Sequence, residues 1–385
     1  MQRSIFTIIL FSIIFIHCKN DPSFGDDPES EAEEIFFDDY ESPKRKWGFI
    51  DKKGNEEIPA KYDMVRPFTE GLAAANVKGK WTFIDKENKR LFPPKYKACW
   101  SFSSGLARVQ TFENKFAMVD KAGKEVFSSS YDEIYNMENN RARIKRGSLY
   151  GFVNEKGEVI IEPQFEKADN FKTPYARVKQ FDKYGIIDLN GKFIVKAKYN
   201  HLGKYHPDLI KFKEGKLYGY INPTGKIIIP AKYLRALDFI NETAAVKDEE
   251  GYYLINSKGE KISNIYNLII YGEENLWLGK KLKYGILDAN GKEISEFKYD
   301  QLYKFHEGKA GYMIDDSWGY INSDGSLLTP AVFALLWDYQ DGMARVAVPM
   351  RGVGFLNGRG QKATPFKFIE VRNFSDGLAA FEKWN

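Results

Sequence analysis

The polar and apolar positions of this chain repeat in blocks. An aromatic residue, a small residue, an apolar pair and then Asp or Asn recur from Trp47 onward. The aromatic anchors are Trp47, Trp81, Phe116, Tyr150, Tyr184, Tyr218, Tyr252, Tyr284 and Trp318, with Val353 in the tenth position. Successive anchors stand 32 to 35 residues apart, most of them 34. A fixed period of this size marks a repeat architecture. No long stretch shows the 3.6-residue apolar period of a helix, and the anchor segments alternate with a period of two. In the first unit Trp47 and Phe49 point to one side of a strand, Gly48 and Ile50 to the other. Ile50 has an apolar counterpart in every unit, from Ile84 and Val119 to Leu356, so both sides are covered. Each unit thus predicts a strand–turn–strand hairpin, an extended connection, and a strand that pairs with the first strand of the next unit.

Four residues after each anchor stands Asp or Asn (Asp51, Asp85, Asp120, Asn154 and their successors). Three further on stands Gly in nine units and Asn88 in the other. This is the pattern of a type I turn: the short polar side chain bonds the backbone, and the last position takes a positive φ. Gly allows that φ freely, and Asn tolerates it best among the rest. Such a column of carboxylates and amides could also suggest calcium, but turn chemistry accounts for it without a metal. A short strand follows, often reaching a proline (Pro59, Pro94, Pro163, Pro230, Pro330, Pro365) that marks a strand end or an edge, since proline donates no hydrogen bond. An aromatic residue then precedes an apolar column: Val65, Cys99, Ile134, Ala168, Leu202, Ala236, Ile269, Leu302, Leu336 and Val371. Cys99 is by its position a core filler, not a nucleophile. The small residue after the anchor is Gly in seven units, which predicts close approach of a neighbouring backbone or ring.

The run Lys46-Trp47-Gly48-Phe49-Ile50-Asp51-Lys52-Lys53-Gly54, followed by Ile58-Pro59-Ala60-Lys61-Tyr62-Asp63, resembles the WG repeat of bacterial proteins, also called the KWG repeat. Residues 216–233 and 317–330 resemble it too, while the third and seventh units are eroded. The resemblance spans roughly residues 46–384. It implies a repeat class often found in exported or surface proteins, with no common catalytic activity and no functional residues to carry over.

The expected fold is all-β: tandem β-meander or hairpin repeats of about 34 residues, stacked in an open superhelical solenoid, with a closed β-propeller-like ring as the alternative. Ten short units favour the open stack, because propellers usually have about 4–8 blades and longer repeats. One feature speaks for closure. The array begins with an anchor strand at Trp47 and ends in an unpartnered closing strand, residues 377–382, and these two could pair. Otherwise Glu34-Ile35-Phe36-Phe37 could cap the open edge.

Residues 1–18 read as a signal: Arg3, then an apolar run from Ile5 to Ile16 that is too short to span a bilayer, then Cys18. Run, cysteine and polar tether together resemble a bacterial lipoprotein signal, in which Cys18 would be lipidated. His17 departs from the small residue usual at that place. Residues 19–45 form an acidic tether, and residues 46–385 hold the ten repeats with a terminal half-repeat strand. The 57 basic and 53 acidic side chains are unevenly placed. Nine acidic ones lie within residues 21–39, leaving 55 basic against 44 acidic from Tyr40 onward. A basic body favours anionic partners. With Cys99 as the only cysteine beyond the signal, no disulfide framework is available.

The chain carries few residues in patterns that support chemistry. His201, His206 and His306 lack acidic or cysteine partners at metal-ligand spacing and are expected in exposed loops. Glu249-Glu250 and Asp315-Asp316 fall in turns before an anchor. No nucleophile elbow, zinc-protease, P-loop or dinucleotide motif appears. The expectation is therefore no enzyme, no cofactor and no metal. The predicted role is a membrane-tethered scaffold in the cell envelope, binding a protein or an envelope component. The alternative is a receptor for an anionic or carbohydrate polymer, with Trp47, Trp81, Tyr218 and Trp318 as candidate ligand contacts if their rings are exposed. Nucleic acid is not an expected partner of an exported chain.

Overall fold

In the first hairpin, Asp51 Oδ1 accepts hydrogen bonds from the amides of Lys53 at 2.9 Å and Asn55 at 2.8 Å. Gly54 N–H donates to the Asp51 carbonyl at 3.0 Å and takes φ +87°. The same bonds recur at Asp120, Asn154, Asp188, Asn222 and on to Asn357. Asn88 occupies the glycine position with φ +64°. The turn chemistry of the sequence therefore sets the anchor hairpins, with Asp324 Oδ1 taking the Ser326 amide in place of Asn322 in the ninth.

The computed structural model describes residues 45–384 apart from residue 172. All regular elements among them are β-strands. The expected signal, its Cys18, the capping segment 34–37 and all of the tether but Arg45 lie outside the described residues. The strands form ten separate antiparallel sheets, numbered 1 to 10 in the chain order of their central strands Ala73–Val77, Leu106–Gln110, Arg141–Arg146, Tyr175–Gln180, Ile210–Glu214, Thr243–Lys247, Trp277–Lys280, Lys309–Ile314, Met343–Val348 and Leu378–Trp384. Each is a meander of up to four strands, called a to d. Sheet 3 has all four, with Glu133–Glu138, Arg141–Arg146, Leu149–Val153 and Val159–Phe165 in that order. Strands a and b close one sequence unit, while c and d are the anchor hairpin of the next, so each sheet straddles a unit boundary. Elsewhere a shrinks to two residues, as in Met64–Val65, and d can be reduced to isolated bridges such as Trp81↔Tyr96.

Sheet 10 is assembled from both ends of the array. Glu370–Ser375 and Leu378–Trp384 supply a and b, and Arg45–Ile50 and Glu56–Tyr62 supply c and d. Arg45–Ile50 pairs with Leu378–Trp384 from Arg45↔Trp384 to Ile50↔Ala379. The all-β tandem-hairpin expectation holds. Of the two arrangements weighed for the array, this end-to-end pairing belongs to the ring. The reason is the exposed edge: the last b strand has unpaired backbone groups, and the first anchor strand is a c strand without a b partner. Arg372 Nη1 donates to the Val65 carbonyl at 2.9 Å, as Arg108 does to Ile134 at 2.7 Å and Arg177 to Leu202 at 2.9 Å between interior neighbours. The sheets remain distinct ladders and form no continuous barrel wall.

Aromatic pairs staple several of the sheets to the next. Phe49 in strand c of sheet 10 meets Phe68 of sheet 1 edge to face, ring centroids 4.7 Å apart. Phe152–Phe171, Tyr220–Phe239 and Phe355–Phe374 repeat this contact at 4.7 Å. The alternation read in the anchor strand serves two interfaces. Phe49 packs with Val65, Phe68 and Ala75 on one side, and Ile50 with Met343 and Phe355 on the other. Gly48 has a separate task. The register passes from Trp47↔Tyr62 to Phe49↔Ile58, so the d strand bulges over this single residue, and a Cβ there would lie 2.3 Å from the Ile58 carbonyl oxygen. Where Ala117 stands instead, the ladder runs Phe116↔Ser129, Ala117↔Ser128, Met118↔Phe127 without a shift.

Candidate functional site

Three of the four ring candidates are core residues. Trp47, Trp81 and Trp318 are only 7%, 8% and 8% exposed. The Arg372 guanidinium lies 4.4 Å from the Trp47 ring centroid, and Tyr303 packs 4.5 Å from Trp318. Stacking a sugar needs an open ring face, so the contact role expected of these three gives way to packing between sheets. Cys99 is buried, and burial pushes its thiol far above the ordinary range, which makes it inert. His201 and His206 lie in a loop and His306 at an isolated bridge, all three partly exposed. His201 packs 5.9 Å from Tyr218, burial lowers His206 below its usual value, and His306 Nε2 lies 3.4 Å from Asp338 Oδ2. Among the described residues no group of three or more His, Cys, Asp and Glu is placed to hold a metal ion.

Tyr218, the fourth candidate, is half-buried and belongs to a row that extends over five consecutive sheets. Strand b presents a lysine directly opposite each tyrosine anchor of strand c: Lys145↔Tyr150, Lys179↔Tyr184, Lys213↔Tyr218, Lys247↔Tyr252 and Lys280↔Tyr284. The ammonium groups stand 4.6–5.9 Å from the ring centroids. Sheets 8, 9, 10, 1 and 2 carry Met313, Ala347, Glu382, Asn76 and Gln110 at the lysine position instead. Lys179 is paired with Asp182, and Lys145 lies 3.7 Å from Glu133. Lys213, Lys247 and Lys280 have no carboxylate at ion-pair distance among the described residues. In sheets 4 and 6 the neighbouring a strand adds a further cation across the ladder, Lys167↔Lys179 and Arg235↔Lys247. Like charges directly opposite each other destabilise a sheet. Half-exposed tyrosines beside the lysines present flat apolar faces. The sequence did carry a signal for this row: lysine recurs at 145, 179, 213 and 247, with the same period of 34 as the anchors. Reading the aromatic column alone missed it.

The two ends of the array differ. The a–b turns of successive sheets are tied by carboxylates to backbone amides: Glu70 to Gly105 at 3.1 Å, Glu274 to Gly308 at 2.8 Å, Asp341 to Gly377 at 2.6 Å and Asp376 to Gly71 at 2.7 Å. The last of these joins sheet 10 to sheet 1. Carboxylates at that end are thus occupied in holding neighbours together. In an antiparallel meander the b–c turns lie at the opposite end, and the lysine–tyrosine rows sit beside them.

Comparison with known proteins agrees with the repeat reading. The family model described as the WG containing repeat matches residues 47–81, 81–116, 117–150, 150–184, 184–218, 218–253, 284–317, 318–348 and 354–384. The longer unmatched stretch, residues 254–283, is the eroded seventh unit. No curated protein matches the sequence. Among solved structures, a eukaryotic initiation factor aligns at TM-score 0.44 and 12% identity, over 74% of this chain and 95% of its own. BamB from Moraxella catarrhalis aligns at 0.31 and 13%, over 72% and 89%. The computationally designed Ika8 protein aligns at 0.37 and 12%, over 68% and 96%. Likeness at these scores carries no argument about fold or function.

Proposed function

The chain belongs to the WG-repeat family, and from that premise we propose that it is a non-catalytic binding scaffold, tethered to a membrane through Cys18 and displayed in the cell envelope. Its partner is an anionic envelope component, recognised by the lysine–tyrosine rows of sheets 3 to 7. The observation that carries this reading is the trio Lys213, Lys247 and Lys280. Each is seated over a half-buried tyrosine, and none has a carboxylate partner among the described residues. Side-chain stems held along a ring keep the charged ends in place without neutralising them.

The test is binding of residues 43–385 to dextran sulfate, with neutral dextran as control, across a salt series. Binding to the sulfated polymer should weaken as salt rises, because exposed charges are screened. The triple variant Lys213→Ala, Lys247→Ala, Lys280→Ala should lose affinity by roughly tenfold, at about 0.5 kcal/mol for each exposed charge. Equal affinity of the triple variant and the parent, or equal binding to neutral dextran, would remove the basis of the proposal.

A further inference from the structure

The b–c turns carry a second feature, independent of the lysine rows. Met350, Leu282 and Phe181 are 105%, 91% and 84% exposed, the highest values of any large apolar side chain among the described residues. All three occupy tips of b–c turns, in sheets 9, 7 and 4, and Phe112 at 52% is in the same turn of sheet 2. None of these positions is needed for local folding. Phe181 and Asp182 both take positive φ, +50° and +59°, in a two-residue turn that ordinarily holds Asn, Asp or Gly. Met350 has φ +60°. A bulky side chain in the left-handed region is a strained choice, and here it places an apolar group in water.

Three further observations converge on the same end. Leu282 lies between Lys281 and Lys283, which pair with Glu293 and Asp300, and beside Lys280, which has no carboxylate partner among the described residues; Arg351 follows Met350. The turns of sheets 6 and 8 are acidic (Asp248 to Glu250, Asp315 and Asp316), so the charge is not uniform, but the other b–c turns are basic or balanced. The chain also enters the array here: Arg45 pairs with Trp384 at the place where sheet 10 would have its b–c turn.

We propose that the b–c end of the array docks on an anionic lipid surface, with Phe181, Leu282 and Met350 inserted among the acyl chains and the neighbouring lysines on the headgroups. This rests on the anionic-partner reading above and names the partner. Tips on the fourth, seventh and ninth of ten sheets, set around a closed cycle, form a tripod that holds the end parallel to the bilayer. Apolar insertion combined with headgroup attraction is the usual basis of interfacial binding.

The experiment is flotation of residues 43–385 with vesicles of phosphatidylcholine alone or mixed with phosphatidylglycerol. That segment is a compact unit whose ends pair with each other, so it is tested without the lipid anchor. The parent should float with the mixed vesicles and not with phosphatidylcholine alone. The variant Phe181→Ser, Leu282→Ser, Met350→Ser should reduce the bound fraction at least about tenfold. Its dextran sulfate affinity and unfolding midpoint should stay unchanged, and Leu282→Phe should bind as the parent does. Undiminished flotation of the triple serine variant overturns the proposal. A parent that binds dextran sulfate but neither vesicle overturns the lipid assignment and leaves the anionic-partner reading standing. Binding to neither polymer nor vesicles sinks both.

Discussion

Phe49→Ala tests whether the array is joined at its ends. Phe49 is fully buried between the first anchor strand and the first complete sheet, in a cluster that includes Val65, Phe68, Ala75 and, from the far end of the chain, Leu378 and Ala380. Its ring meets Phe68 at 4.7 Å and 66°. Phe152, at the interior contact between sheets 3 and 4, is buried equally and meets Phe171 at 4.7 Å and 67°. Removing either ring costs about 3–5 kcal/mol for the lost burial and the cavity left behind, of which the edge-to-face contact supplies about 0.5–1.5 kcal/mol. In a cycle without ends the two substitutions sit in equivalent interfaces and should lower stability by the same amount. In an open array the terminal unit frays on its own, and Phe49→Ala would leave the main transition untouched. Urea unfolding of residues 43–385, followed by circular dichroism and tryptophan fluorescence, measures both variants. Hydrogen exchange of the amides in residues 46–50 and 378–382 supplies a second readout. A full shift of the midpoint by Phe152→Ala with none by Phe49→Ala, together with fast exchange of those amides, would refute end-to-end pairing.

Two further outcomes follow from the same packing. Gly219→Ala should destabilise by about 1–3 kcal/mol, because its Cβ would lie 2.5 Å from the Ile229 carbonyl oxygen and the bulged d strand must move; Ala117→Gly, where the ladder is unshifted, should cost no more than about 1 kcal/mol. Thermal or urea midpoints decide, and equal effects at the two positions would count against the bulge as the reason for glycine. The second outcome concerns alkaline pH. Burial, with Glu125 and Cys99 adding to it, pushes Tyr96 up to about 12 from 10.0, and burial also raises Tyr62, Tyr233 and Tyr299. The fold holds the neutral phenol. Its contribution is therefore complete below pH 10 and lost as pH rises through 12. Tyrosinate absorbance should climb steeply together with loss of the circular dichroism signal in that window, and a smooth titration centred on 10 without unfolding would contradict the burial.

The sequence by itself determined the module. Asp51, Gly54 and their counterparts specify a turn through bonds within five residues, so ten such turns were legible without any tertiary knowledge. Cys99 could be assigned to the core because its column otherwise holds Val, Ile, Leu and Ala. Gly48 announced a close backbone approach, although not which strand makes it. Strand pairing from each unit into the next was also readable, since the closing strand of one unit leads directly into the anchor of the following one.

The tertiary structure decided the rest. Whether ten units meet end to end depends on the rotation each adds to the last, a sum that no single residue encodes; the pairing of Arg45–Ile50 with Leu378–Trp384 shows the result. The fate of the anchors was likewise invisible. Whether Trp47 faces water or Arg372 is set by a strand more than 300 residues away in sequence. The lysine–tyrosine rows and the apolar tips acquire meaning only once the array assigns them to one end. Local chemistry dictates turns because its partners are adjacent in the chain, whereas exposure depends on which neighbour covers a side chain.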